Sequence, residues 1–324
     1  PEPIARLLHG LREDERLDIL HTDNGNPSII AENIEPSEEI TKTLVETLSD
    51  GAVLSFGLES ADPSVHEANW LNCDPSQLKS AIRLINKYGK ERGTRGLPKL
   101  LPGLNFIAGL NGESRESYAM NLNLLTDLRS EGLLLRRINI RQVEGEGFQE
   151  IPHDAFHEFK SQVRETIDRP LLEELFPLGQ RLSDVFWETH DGRTRLPIHQ
   201  TTAHTDESVH GKSGLTFGRQ IGAYPILIGV PYHIPLDTSS DILVTAHGAR
   251  SITGVEVGME FQDASQKQLE AIPGIGKKTA WNLVSSRAKL LRKQDNVTMK
   301  EVFKSANIEL SETIQSVLCD SEPQ

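Results

Sequence analysis

The run Ala52-Val-Leu-Ser-Phe-Gly-Leu58, the helix-period stretch Ser76 to Tyr88 and the run Leu104-Asn-Phe-Ile-Ala-Gly-Leu110 decide the fold. Two strand-like segments with a helix between them read as a βαβ unit, hence parallel strands joined by a right-handed crossover. The same texture extends both ways. Upstream lie the end of a helix, Ile4 to Arg12 with Ile4, Leu7, Leu8 and Leu11 on one face, then a short strand Leu17 to Asp23 closed by the turn signal Asn24-Gly25-Asn26-Pro27. Ser37 is placed to cap a helix carrying Ile40, Leu44 and Leu48. Downstream follow a helix from Ser117 to Arg129 and a strand from Leu135 to Val143. Four such strands without a closing set suggest an incomplete (β/α) barrel.

Period two divides these strands into faces. Leu54, Phe56 and Leu58 oppose Ser55, Gly57 and Glu59; Phe106 and Ala108 oppose Asn105, Ile107 and Gly109; Ile138 and Ile140 oppose Arg137, Asn139 and Arg141. One set suits packing against helices. The other turns small and polar groups toward the strand C-termini, where barrel folds place their sites. A purely internal use, an ion pair of Glu59 with Arg137 or Arg141, is the competing reading.

Composition bounds the chemistry. The chain has 324 residues, 37% of them hydrophobic, and a net charge of −13 from 34 Lys and Arg against 47 Asp and Glu. No run approaches the roughly 18 apolar residues of a membrane span, and the expected setting is cytoplasmic, without membrane contact. The two cysteines, Cys73 and Cys319, form neither a disulfide framework nor a metal-ligand cluster. Histidines crowd the region from His190 to His247, but His199, His204 and His210 match no zinc spacing. The opening Pro1-Glu2-Pro3, which is not methionine, hints at a missing upstream piece.

In order along the chain stand Ser55-Phe-Gly-Leu-Glu59-Ser60, Ala81-Ile-Arg83-Leu-Ile-Asn86 and Gly109-Leu-Asn-Gly112-Glu113-Ser114. Together they resemble the radical S-adenosylmethionine (radical SAM) enzymes, and within them the tRNA methylthiotransferase-like group, over about the first 147 residues. The resemblance implies the last four strands of a six-stranded core. It implies that Ser55, Glu59 and Ser60 hold the ribose and amino-acid part of S-adenosylmethionine, that Ile107 and Gly109 meet the adenine, and that Asn139 and Arg141 make further cofactor or substrate contacts. It also implies a [4Fe-4S] cluster and an electron donor. The Cys-x-x-x-Cys-x-x-Cys loop that binds the cluster is absent here and would lie upstream of Pro1; this chain alone is expected to be inactive. The rival reading is a non-catalytic nucleic-acid-binding protein on a degenerate scaffold.

The remainder divides by texture. The first 150 residues form the partial barrel, and residues 151–190 a helical connector with a break at Pro170, its helical character running to Glu188. Residues 191–258 form a small β domain, a barrel or sandwich with glycine bends, loosely similar to an RNA-binding barrel. Arg193, Arg195, Lys212, Arg219 and Arg250 could give it a phosphate-binding face. Residues 259–324 hold Leu269-Glu-Ala-Ile272-Pro273-Gly274-Ile275-Gly276-Lys277-Lys278, which matches the helix-hairpin-helix pattern of nucleic-acid-binding proteins. Gly274, Gly276, Lys277 and Lys278 would meet phosphates at a helix start, with Arg287, Lys289, Arg292 and Lys293 continuing the charge. A module that only packs helices is the bland alternative. RNA is the expected partner.

Overall fold

The computed structural model describes residues 1–143, 145, 148, 150, 152–190, 214–294 and 296–320. It is a mixed α/β structure with a four-stranded parallel sheet and a small closed five-stranded barrel. The chain divides into two compact units, Pro1–Leu175 with Gly222–Tyr224, and Phe176–Ile221 with Pro225–Gln324.

The first unit runs α1 (Glu2–Arg12), β1 (Asn24–Gly25), α2 (Pro27–Glu32), α3 (Ile34–Thr47), β2 (Ala52–Glu59), α4 (Pro63–Asn69), α5 (Pro75–Gly89), β3 (Leu100–Ala108), α6 (Arg115–Ser130), β4 (Arg137–Gln142), α7 (His153–Gln162), a π-helical turn (Val163–Asp168) and α8 (Arg169–Leu175). The sheet order is β1-β2-β3-β4, parallel throughout. Asp74 starts α5 by accepting from Ser76 N at 2.7 Å and Gln77 N at 3.0 Å, while Gln77 Oε1 accepts from Asp74 N at 3.2 Å. With Pro75 at the first helical position, this is a complete capping box. The buried stripe of α5, Leu78, Ile82 and Ile85, joins Phe56, Leu104 and Phe106 from the sheet and Leu125 from α6 in one core. Phe156, Phe159, Val163, Ile167 and Leu171 close the same core.

Local differences from the sequence expectation have physical causes. Leu17 to Asp23 forms no strand; the first ladder is the Asn24–Gly25 pair itself, bonded to Ser55 and Phe56. Asn26, expected in a turn, caps α2 by accepting from Ser28 N at 3.1 Å and Ile29 N at 3.3 Å. Ser37 lies inside α3 and is not its cap. Pro170 does not end the helix: as the second residue of α8 it follows the wider π turn, so the chain stays helical.

The second unit begins with β5 (Arg181–Thr189), β6 (Thr216–Gln220), β7 (Leu227–Val230), β8 (Ser239–His247) and β9 (Ser251–Glu256). They close in the order β5-β6-β7-β9-β8, with β7 and β9 parallel and the other pairs antiparallel. Hence Arg181–Thr189, expected at the end of a helical stretch, is a strand; Leu182, Val185 and Trp187 turn inward to the barrel core. Trp187 Nε1 donates to Ser240 Oγ at 2.8 Å, so the indole is buried without losing its hydrogen bond. Then come β10 (Met259–Glu260), α9 (Gln266–Glu270), α10 (Lys277–Leu291), α11 (Met299–Ala306), α12 (Glu312–Val317) and β11 (Leu318–Cys319), with β10 and β11 parallel.

Candidate functional site

Strand register places the polar residues in rows. Ser55 lies opposite Gly103, and Gly103 opposite Arg137; Gly57, Asn105 and Asn139 form the next row, and Ile107 pairs with Arg141. Alternation then puts Ser55, Gly57, Asn105, Ile107, Arg137, Asn139 and Arg141 on one face, opposite the apolar set. Asn139 Nδ2 donates to Asn105 Oδ1 at 3.3 Å. Arg141 is exposed at the far end of β4.

Glu59 ends β2 on a bulge: the register with β3 shifts between Gly57 and Glu59, and Glu59 sits at φ 67°, in the left-handed region. A non-glycine residue there is strained. Its side chain is half-buried, and Oε2 lies out of solvent with no hydrogen-bond partner among the described residues. Burial raises its pKa, and the nearby positive charge of Arg141 only partly opposes this. A hollow of about 340 Å³ opens beside it, lined also by Gly25, Gly57, Trp70, Asn72 and Cys73.

Ser60 goes elsewhere. It is 1% exposed, its Oγ accepts from Asp62 N at 3.2 Å, and its carbonyl bonds His66 Nε2. Asp62 in turn caps α4 through Ser64 N at 2.8 Å and accepts from Ser117 Oγ at 2.5 Å. Gly109, at φ 93°, donates from its N–H to Glu113 Oε2 at 3.0 Å, and Tyr118 donates its hydroxyl to Glu113 Oε1. Burial raises the pKa of Glu113 and of its partner Tyr118. Ser60, Gly109 and Glu113 thus brace the loops after β2 and β3. Ser55, Glu59, Ile107, Asn139 and Arg141 present themselves on the polar face and its end.

Arg137 does not pair with Glu59; its guanidinium stacks on the ring of Tyr224, 4.0 Å from the centroid. His21 Nδ1 accepts from Ala223 N at 2.7 Å, which assigns the ring proton to Nε2, and burial and Arg95 hold its pKa down.

In the second unit the Ile272–Gly276 turn joins α9 and α10. Leu269, Ile272, Ile275, Ala280 and Leu283 are buried, whereas Gly274, Gly276, Lys277 and Lys278 are exposed. Gly274 has φ 91°, and Gly276 begins α10 without a side chain to cap its first N–H groups. Arg287 turns inward, donating to the carbonyls of Phe261 and of Ala264, the latter at 2.8 Å, so it does not extend the basic surface. Arg219 pairs with Glu188, and Arg250 is exposed. Arg193, Arg195, Lys212, His199, His204 and His210 lie outside the described residues. Among the described residues no group of three or more His, Cys, Asp or Glu could hold a metal ion, and no helix is long and apolar enough to cross a membrane.

Trp70 is the residue that periodicity misses. Its signal in the sequence is a tryptophan set in a polar loop, Asn69-Trp70-Leu71-Asn72, ahead of the Asp74-Pro75 helix start.

The chain is 38% identical over 269 residues to an uncharacterized protein of Archaeoglobus fulgidus, covering 80% of this chain and 47% of that protein. It is 36% identical over 264 residues to an uncharacterized protein of Methanocaldococcus jannaschii, covering 78% and 45%. The chain therefore spans about half the length of the curated relatives it matches. No family model matches it.

Proposed function

We propose that the chain is the later part of a radical SAM iron–sulfur enzyme that modifies RNA, with a helix-hairpin-helix as its nucleic-acid grip. The observation that carries this is Glu59: a strained, half-buried carboxylate with an unsatisfied oxygen, at the C-terminal end of a parallel strand. Strained and unsatisfied polar groups of this kind cluster at functional sites. The reading makes the four parallel strands part of a larger barrel whose interior is the polar face.

The residues fit S-adenosylmethionine. Glu59 would accept from its ribose hydroxyls or ammonium, Ile107 would meet the flat face of adenine, and Asn139 with Arg141 would hold the carboxylate. Ser55 lies deeper on the same face, while Ser60 and Gly109 position the loops that frame it. When bound and reductively split, this cofactor supplies a 5′-deoxyadenosyl radical able to abstract hydrogen from a substrate.

A [4Fe-4S] cluster does not fit this chain alone. Burial pushes the Cys73 thiol up to about 12, far from a thiolate ligand, and Cys319 belongs to the other unit. Its ligands and the electron donor would have to come from outside these residues.

The test has two arms. Calorimetric titration of S-adenosylmethionine into this chain should show binding that Glu59→Gln weakens roughly tenfold or more, the worth of a hydrogen bond to a charged group. Equal affinity of the two proteins would remove Glu59 from the site. Anaerobic iron–sulfide reconstitution of a longer protein carrying an upstream Cys-x-x-x-Cys-x-x-Cys should yield a visible cluster band and cleavage of S-adenosylmethionine; neither appearing decides for the non-catalytic reading.

A further inference from the structure

The Trp70 side chain belongs to no apolar core. The residue is 89% exposed, and it sits at φ 53°, in the left-handed region, as the residue that ends α4. Both features cost stability: a non-glycine left-handed residue is strained, and a bare indole leaves a large apolar surface in water. Nevertheless the loop is held firmly. The Trp70 N–H donates to the His66 carbonyl, and His66 Nε2 bonds the Ser60 carbonyl. Asn69 and Asn111 exchange hydrogen bonds of 2.7 and 3.2 Å, and the capping box at Asp74 fixes the far side. An exposed aromatic ring on a braced loop is a preorganised platform.

Its surroundings narrow what the platform takes. The ring stands at the edge of the 340 Å³ hollow beside Glu59, and a second hollow on the same loop is lined by His66, Glu67, Asp74 and Gln77. Glu59, Glu67 and Asp74 make these walls acidic, so a phosphate is repelled and a neutral flat group is favoured. Asn72, exposed at the rim, offers an amide that can donate and accept along a base edge.

We propose that Trp70 is a stacking platform for one unpaired nucleobase, with Asn72 reading its edge, and that it delivers a base of the substrate polynucleotide to the hollow beside Glu59. This deepens the reading of the chain as acting on RNA and rests on it for the origin of the base. Recognition of splayed bases by an aromatic face is the usual way single-stranded nucleic acid is held.

The experiment uses adenosine, which lacks phosphate and so avoids the basic hairpin. Tryptophan emission is followed in a Trp281→Phe background, where Trp70 is the exposed indole and Trp187 stays buried. Adenosine should quench emission saturably, and ribose 5-phosphate should not. By calorimetry, Trp70→Ala and Trp70→Gly should lose roughly tenfold or more in adenosine affinity. Trp70→Phe should restore most of it. The glycine variant relieves the backbone strain, so it tests the ring without risking the fold. Absence of saturable binding, or unchanged affinity in Trp70→Ala, overturns the proposal. Affinity lost in Glu59→Gln but kept in Trp70→Ala assigns adenosine to the cofactor pocket; that overturns the platform and leaves the cofactor reading standing. Conversely, S-adenosylmethionine affinity indifferent to Glu59→Gln, with adenosine affinity lost in Trp70→Ala, defeats the cofactor reading alone.

Discussion

Glu59 carries a cost to folding at its strand end. Its pKa is raised by burial, so the folded state holds the proton more tightly than the unfolded chain does. Relative to the unfolded chain, its contribution to stability is therefore fully present below the ordinary value of 4.5 and is lost as pH rises through the folded value. Glu59→Gln keeps the shape and removes the ionisation. The variant should melt at a higher temperature than the parent at neutral pH, with the gap closing as the pH falls below 4.5. Melting curves of both proteins across that range check this; a gap independent of pH would mean that Glu59 is well solvated. Glu113 also has a raised pKa, and only the difference between the two proteins isolates Glu59.

At the scale of elements, the hairpin separates shape from contact. Gly274 needs glycine for its positive φ, and alanine there should cost about 1–2 kcal/mol. Gly276 has φ −82° with no atom near a Cβ, so alanine should change stability by no more than about 1 kcal/mol while adding a methyl group where the proposed phosphate would approach α10. Gly276→Ala should weaken salt-sensitive RNA or DNA binding with the melting temperature nearly unchanged, and the double variant should abolish it. Gel-shift titrations at two salt concentrations decide; undiminished binding by the double variant would leave the hairpin as helix packing only. The turn was legible because its chemistry is local: glycines, buried Ile272 and Ile275, and a helix start lie within a dozen residues. The polar face of the sheet was legible for the same reason, since alternation in β2, β3 and β4 is a two-residue signal. Pairings set by distant partners were not legible. Asn24–Gly25 looks like a turn and becomes a strand only because Ser55 and Phe56 receive it. The parallel β7–β9 contact and the inward course of Arg287 likewise leave no local mark. Trp70 was hidden because periodicity reports what is buried.

Among the described residues, each of the two compact units buries apolar side chains of its own. The cluster around Phe56, Leu104, Phe106 and Leu125 draws its members from the first unit, up to Leu171, whereas Trp187, Phe261 and Phe303 are buried in the second. Burial of apolar surface is the main favourable term in folding, and a cavity weakens the core that contains it. Separate cores should give separate cooperative transitions. Leu125→Ala removes a fully buried side chain from the first core and should cost about 2–5 kcal/mol; Trp187→Ala should cost about 3–5 kcal/mol in the second. Scanning calorimetry of the parent should resolve two endotherms, with each variant lowering a different one by several degrees. If S-adenosylmethionine binds the polar sheet face, it should raise the transition lowered by Leu125→Ala and leave the other in place. A single endotherm shifted by both variants would show instead that the two cores melt as one, and a ligand shift confined to the Trp187-sensitive transition would move the cofactor off the parallel sheet.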